Sequence, residues 1–286
     1  MLALFAVSLL WAFSFGLIKG ELTGIPPALV AFIRLGFCFI LFMPLALMAK
    51  KYRPNLRLVL LGSIQFGVMY LAYIASYQYL PGYLVAVFTI FTPLYVMLFD
   101  ALLTRRFNAI LLLPVLLSIF ATAVIVFKMP DSGQVITGFA ILQLANLAFA
   151  FGQVAYKHYC ATLTSPHKVN MASMYLGAML LTALAALPQT IGSDIVISER
   201  QWAVLVYLGL IASGLGFFLW NLGARQVSAP LLAIMNNAYV PLAVLLALTL
   251  FNESAEITRL LVGGGLILAS LYWAQQITQR QQNKVD

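Results

Sequence analysis

The sequence predicts an all-α polytopic membrane protein, with ten transmembrane helices arranged as two inverted five-helix repeats. Three observations lead there. Only 8% of the 286 residues are charged, 16 Lys+Arg and 8 Asp+Glu, while 63% are hydrophobic. A soluble domain carries about 25% charged residues, and a body of this size cannot cover itself with so few. With a mean hydropathy of +0.98, disorder, a disulfide-stapled secreted fold and an ordinary soluble enzyme are excluded. The second observation is that the apolar residues gather into ten stretches of about 20, the length that crosses a bilayer core as a helix. The third is that the two halves of the chain repeat.

Taken in order, the spans run approximately over 2–19, 28–49, 57–79, 82–103, 108–127, 136–158, 170–191, 202–223, 229–250 and 258–277. The first lacks a basic leader and a small-residue cleavage site, so it reads as a retained helix and not a signal peptide. The second ends at Lys50-Lys51-Tyr52-Arg53-Pro54. The third and fourth are divided by Leu80-Pro81-Gly82; undivided, they would form a helix far too long for one crossing, so a tight hairpin is expected. Thr104-Arg105-Arg106, Met129-Pro130-Asp131 and Ser228-Ala229-Pro230 mark later breaks. Every run is apolar on all sides, whereas membrane strands alternate in polarity.

Direction follows from the basic residues near the membrane ends. With the N-terminus inside, the inner connections hold Lys50, Lys51, Arg53, Arg57, Arg105, Arg106, Lys157, Lys168, Arg225, Arg280 and Lys284. The outer ones hold Lys19, Lys128, Arg200 and Arg259, and Arg34 lies within a span. Both termini are therefore expected in the cytoplasm. The net charge of +8 reads as topology, with an attraction to anionic lipid, and not as a nucleic-acid patch. Expected partners are a small-molecule substrate and membrane lipid, with no nucleic acid; a homodimer is compatible with the composition.

Cys38 and Cys160 belong to different depths and have no metal-ligand neighbours. His158 and His167 share one cytoplasmic connection and are expected to be solvated. No cofactor, metal or catalytic group is expected: there is no HExxH, no GxSxG and no paired acid within the spans.

The duplication is visible in two places. Trp11-Ala12-Phe13-Ser14-Phe15-Gly16 in span one matches Leu147-Ala148-Phe149-Ala150-Phe151-Gly152 in span six. Pro93-Leu94-Tyr95-Val96-Met97-Leu98 in span four matches Pro241-Leu242-Ala243-Val244-Leu245-Leu246 in span nine. The expected units are 1–128 with spans one to five, 136–279 with spans six to ten, and a short cytoplasmic tail, 280–286. Five spans per copy is an odd number, so the second copy enters from the opposite side, as in many secondary transporters.

The residues also resemble a family. Trp11, Gly16, Lys19, Arg34, the run Ser213-Gly214-Leu215-Gly216-Phe217-Phe218-Leu219-Trp220-Asn221, Pro241, Glu253 and Gly263 to Gly265 look like the drug/metabolite transporter superfamily with two EamA-type repeats. The resemblance covers nearly the whole chain. It implies a ten-helix carrier of small organic metabolites in a bacterial inner membrane. It also implies a central cavity lined by spans one, three, four, six, eight and nine. One departure is Arg105-Arg106, where the family often has Glu and the second repeat has Glu253.

Polar side chains inside a membrane are costly and tend to face a bundle interior or a wet cavity. In span six, Gln143, Asn146, Gln153 and Lys157 share one helix face. They either line a transport path or tie helices together, with Lys157 reaching for headgroups. Span three offers Gln65, Tyr70 and Tyr73, with Tyr77 nearer the interface. Span eight offers Ser213, Phe217, Trp220 and Asn221, and span nine Asn236 and Asn237. Pro93 and Pro241 remove backbone hydrogen bonds at matching points, and the carbonyls freed near Thr89 and Asn237 either bind substrate or permit bending. The expected substrate path comprises Trp11, Ser14, Arg34, Gln65, Tyr70, Tyr73, Thr89, Asn146, Gln153, Lys157, Ser213, Trp220, Asn221, Asn236 and Asn237, with Pro93 and Pro241 as hinges. Arg34 needs carbonyls, a carboxylate or a substrate anion. Asp100 is expected to pair with Arg105 or Arg106.

The leading expectation is a secondary transporter that moves a small organic metabolite (an amino acid, a carboxylate or a related compound) by alternating access. The alternative is uptake of a vitamin such as biotin or a nucleoside-like cofactor, a range that the resemblance implies. An alternative of another class is a non-transporting accessory subunit.

Overall fold

The computed structural model describes residues 2–49, 53–105, 107, 109–126, 133–192, 194–237, 249 and 257–282. Among them there is no strand. Lipid offers no hydrogen-bond partners, so a spanning chain satisfies its backbone within helices. In chain order these are α1 (Leu2–Glu21), α2 (Pro27–Leu47), α3 (Leu56–Ser76), α4 (Leu84–Thr104), α5 (Leu112–Val126) and α6 (Gly133–Cys160). They are followed by α7 (His167–Thr190), α8 (Glu199–Ala224), α9 (Ala229–Met235) and α10 (Ile257–Gln282).

Seven of the helices, α1 to α4 and α6 to α8, are long and apolar enough to cross a membrane. Helix α5 is shorter, α9 is described over only its first turns, and the apolar part of α10 is Leu261–Ala274. Large apolar side chains face outward along the helices, with Ile40 and Leu102 each 64% exposed and Leu184 67% exposed. An apolar exterior of this kind suits lipid and not water.

The ends of the helices are set by local chemistry. Asn55 caps α3, its side-chain oxygen accepting from the backbone N–H groups of Arg57 and Leu58 at 3.0 and 3.3 Å. Ser198 and Gln201 form a reciprocal capping box at the start of α8. The expected hairpin between spans three and four is present, with the chain turning at Tyr77–Leu80 before Pro81. Arg105 closes α4 in the left-handed conformation, φ 55°.

Helix pairing follows a pattern. Helix α2 packs along α7, and α5 packs along α10. The contact of α2 with α8 has its counterpart in α7 with α3, and that of α1 with α8 in α6 with α3. Helices α3 and α8 also share a π-helical stretch, Ser63–Val68 in one and Tyr207–Leu215 in the other, each beginning in the third turn. Such widened turns are frequent at functional sites. Helices α3 and α7 approach closely. A Cβ on Gly62 would collide with the Met174 backbone, and one on Gly177 with the Val59 carbonyl. Small residues let two backbones approach this closely.

Two expectations need correction. Asp100 pairs with His158, whose Nε2 lies 2.8 Å from its carboxylate, and not with Arg105. Helices α4 and α6 pack together, which brings the Asp100 turn against the end of α6. His167 is not a solvated loop residue either. It is wedged between the Tyr156 hydroxyl and the Phe218 carbonyl, which lies 2.9 Å from Nε2. A carbonyl only accepts, so Nε2 carries the proton.

Candidate substrate site

A cavity opens inside the bundle, lined by thirteen residues from six helices. Helix α1 supplies Trp11, Ser14 and Phe15, and α3 supplies Met69, Tyr70 and Tyr73. These positions recur at three and four residues, so each set occupies one helix face. Thr89 and Thr92 come from α4, Ala145, Asn146 and Phe149 from α6, Phe217 from α8 and Arg34 from α2.

Aromatic rings form much of the wall. The Trp11 ring centroid lies 5.0 Å from that of Phe217, 5.8 Å from Phe149 and 4.8 Å from Trp220. The Trp11 indole N–H donates to the Ala212 carbonyl at 2.8 Å, inside the π-helical stretch of α8. This bond fixes the ring between the two halves of the chain.

Arg34 is 2% exposed. Its Nη2 donates to the Tyr70 hydroxyl at 2.7 Å and to Ser213 Oγ at 3.0 Å, and its Nε lies 3.3 Å from the same Oγ. The guanidinium carbon also sits 4.4 Å from the Tyr70 ring centroid, a cation–π contact. Ser213 in turn donates to the Leu208 carbonyl at 2.6 Å, so its lone pairs remain for these donors.

On the opposite wall, α4 is interrupted. A 3₁₀ turn at Thr89–Phe91 precedes Pro93, which cannot donate a backbone hydrogen bond. The Phe88 carbonyl accepts from Asn146 Nδ2 at 3.0 Å and from Gln143 Nε2 at 3.3 Å. The Thr89 carbonyl accepts from the Thr92 hydroxyl. The freed carbonyls at this break are thus held by side chains. That commitment fixes the orientation of the Asn146 amide, with Nδ2 toward the Phe88 and Gln143 oxygens.

Beyond Trp11 and Phe217, a fully buried polar layer follows. Gln65 Nε2 donates to Asn221 Oδ1 at 3.0 Å. Gln153 Oε1 accepts from Trp220 Nε1 at 3.0 Å and from Asn236 Nδ2 at 3.2 Å, and Gln153 Nε2 donates back to Asn236 Oδ1 at 3.3 Å. This layer joins α3, α6, α8 and α9. Gly152 leaves room for it, since a Cβ there would meet the Gln65 side chain.

The sequence profile of the EamA-like transporter family matches residues 1–127 and 136–274. The chain belongs to the EamA-like transporter family. It is 38% identical over 284 residues to a probable biotin transporter of Pseudomonas aeruginosa, covering 96% of this chain and 97% of that one. It is 34% identical to a biotin transporter of Salmonella typhimurium and 33% identical to one of Escherichia coli. In both of these, 95% of this chain and 92% of the relative are covered. A crystal structure at 19% identity shares the fold, with a TM-score of 0.79 over 98% of this chain and 97% of its own. The chain is a transporter and not an enzyme.

In this EamA-like chain, seven of the residues expected on the path line the cavity: Trp11, Ser14, Arg34, Tyr70, Tyr73, Thr89 and Asn146. Ser213 reaches it through Arg34. Gln65, Gln153, Trp220, Asn221 and Asn236 instead build the buried layer. Asn237 donates to Ser118 Oγ at 3.2 Å, and Lys157 donates to the Val227 carbonyl. Pro93 stands just after the break in α4, while Pro241 lies outside the described residues. The lining also includes Phe15, Met69, Thr92, Ala145 and Phe149, which were not singled out. Spacing of three or four residues leads from Trp11 to Phe15, from Thr89 to Thr92, from Tyr73 to Met69 and from Asn146 through Phe149 to Ala145, although most of these side chains carry no polar signal of their own. Helix α2 enters the lining through Arg34, whereas the described part of α9 does not line the cavity.

Proposed function

We propose that this chain takes up biotin, or a compound of the same shape and polarity, by alternating access across the bacterial inner membrane. The observation that carries the reading is the character of the cavity: among the described residues its lining has aromatic walls, a few hydroxyls and one amide, a single guanidinium, and no carboxylate. Biotin has an apolar bicyclic body, a ureido group with both donors and an acceptor, and a flexible chain ending in a carboxylate. Rings of the Trp11, Phe149 and Phe217 type suit such a body, and sparse polar groups suit orientation. A free amino acid is less well served, because its ammonium would find no anionic partner in this lining. The similarity to biotin transporters at 33–38% identity supports the same choice.

Alternating access rests on the two copies of one fold acting as inverted repeats. The equivalent helix contacts and the paired π-helical stretches of α3 and α8 support that reading, as does the match of one family profile to two successive stretches. The distribution of basic residues supports cytoplasmic termini. The buried layer of Gln65, Asn221, Gln153, Trp220 and Asn236 then lies on the cytoplasmic side of the substrate and must part for release. The test is uptake of radiolabelled biotin by a biotin-requiring strain that lacks its own carrier. Saturable uptake on expression of this chain is expected; background uptake with normal membrane expression would overturn the proposal.

A further inference from the structure

We infer that Arg34 is the anchor for a substrate carboxylate, and that substrate lies across the cavity with its acid at Arg34 and its hydrogen-bonding head at Asn146. The inference rests on the proposed uptake of a biotin-like acid for the identity of the ligand, but not for its charge. Arg34 is a buried cation with no carboxylate partner among the described residues. The acids that do pair are elsewhere, Glu21 with Arg200 and Asp100 with His158. The contacts Arg34 makes, with Tyr70 and Ser213, are to neutral groups and leave its charge uncompensated. Its Nη1 is buried and has no hydrogen-bond acceptor at all. That nitrogen carries two N–H donors, and a buried unpaired ion is costly until an anion meets it. A carboxylate oxygen accepting from Nη1 would make a charge-assisted hydrogen bond and supply the missing negative charge.

Tyr70 and Ser213 act as positioning residues. They occupy Nε and Nη2, which leaves Nη1 as the free corner. Asn146 provides the other pole. Its Nδ2 is committed to Phe88 and Gln143, so the amide oxygen is the group left to accept an N–H from a ligand. Helices α2 and α6 thus contribute one recognition group each to a cavity that Trp11, Phe149 and Phe217 also line.

The test compares acids with their neutral forms in the wild-type carrier and in Arg34→Gln and Arg34→Lys. Competition against radiolabelled biotin should show biotin and dethiobiotin acting at similar concentrations, with biotin methyl ester weaker by at least about 30-fold, as expected when one member of a buried charge pair is removed. In Arg34→Gln the acid and ester should compete within about threefold of each other, while Arg34→Lys should retain part of the preference. An ester that competes as well as the acid in the wild type would overturn the inference, leaving biotin uptake intact. So would an unchanged acid preference in folded Arg34→Gln. If biotin does not bind, thermal stabilisation by 5-phenylpentanoate against its amide decides the anchor separately. Stabilisation by the acid alone, lost in Arg34→Gln, supports it, and equal or absent stabilisation by both refutes it.

Discussion

Arg34 and Tyr70 meet twice: Nη2 donates to the tyrosine hydroxyl at 2.7 Å, and the guanidinium carbon stands 4.4 Å from the centroid of the same ring. One turn of α3 therefore both solvates the cation and aims it. Tyr70→Phe keeps the ring contact and removes the hydroxyl. The KM for uptake should rise by roughly 10- to 150-fold, the worth of one hydrogen bond to a charged group, with little change in maximal rate or expression. Uptake kinetics in whole cells measure this, and an unchanged KM would show that the hydroxyl does not position Arg34.

Gln153 carries the buried layer, since its oxygen accepts from both Trp220 and Asn236. Gln153→Leu leaves the Trp220 indole N–H without its acceptor and removes both bonds to Asn236, whose Nδ2 keeps the Leu232 carbonyl. Interhelical hydrogen bonds in membranes are each worth about 0.6–2 kcal/mol, so a lower melting temperature in detergent is expected together with loss of uptake. Differential scanning fluorimetry and transport assays report the two effects separately. Wild-type melting would contradict the tie proposed between α6, α8 and α9.

Asn146 has two tasks, holding the Phe88 carbonyl at the break in α4 and facing the cavity. Asn146→Leu should abolish uptake and also destabilise the protein. Asn146→Asp keeps an acceptor but loses the donor to Phe88 and places a second anion near the substrate. It should express poorly and transport less than about a tenth of wild type. Normal uptake by either variant would remove Asn146 from the site.

The close approach of α3 and α7 at Gly62 and Gly177 leaves no room for a side chain. Gly62→Val or Gly177→Val should force the helices apart and yield aggregated protein. Size-exclusion chromatography of the fluorescently tagged variants measures this. Gly265→Ala on α10, where a Cβ meets nothing within 4 Å, should behave as wild type.

Much of the fold was legible because a membrane imposes so few solutions on the backbone. Apolar length located α1 to α4 and α6 to α8, and Pro81 marked the hairpin between α3 and α4. The cavity was legible through its polar and aromatic members, because an Arg, an Asn or a Tyr in hydrocarbon needs a reason. What spacing does not show is depth and partner. Gln65 and Gln153 carry the same signal as Asn146, yet they satisfy one another's neighbours across helix interfaces and do not line the cavity. Likewise Asp100 stands five residues from Arg105 in sequence, but helix packing gives it His158. Which of several polar groups meets which is decided by the crossing of helices distant in the chain.

Counterflow of radiolabelled biotin into proteoliposomes that contain only this protein tests the proposed transport most directly. Vesicles preloaded with unlabelled biotin should accumulate label transiently, and those preloaded with biotin methyl ester should not. Absence of counterflow from correctly folded protein, or accumulation that is equal with empty vesicles, would contradict biotin carriage by this cavity.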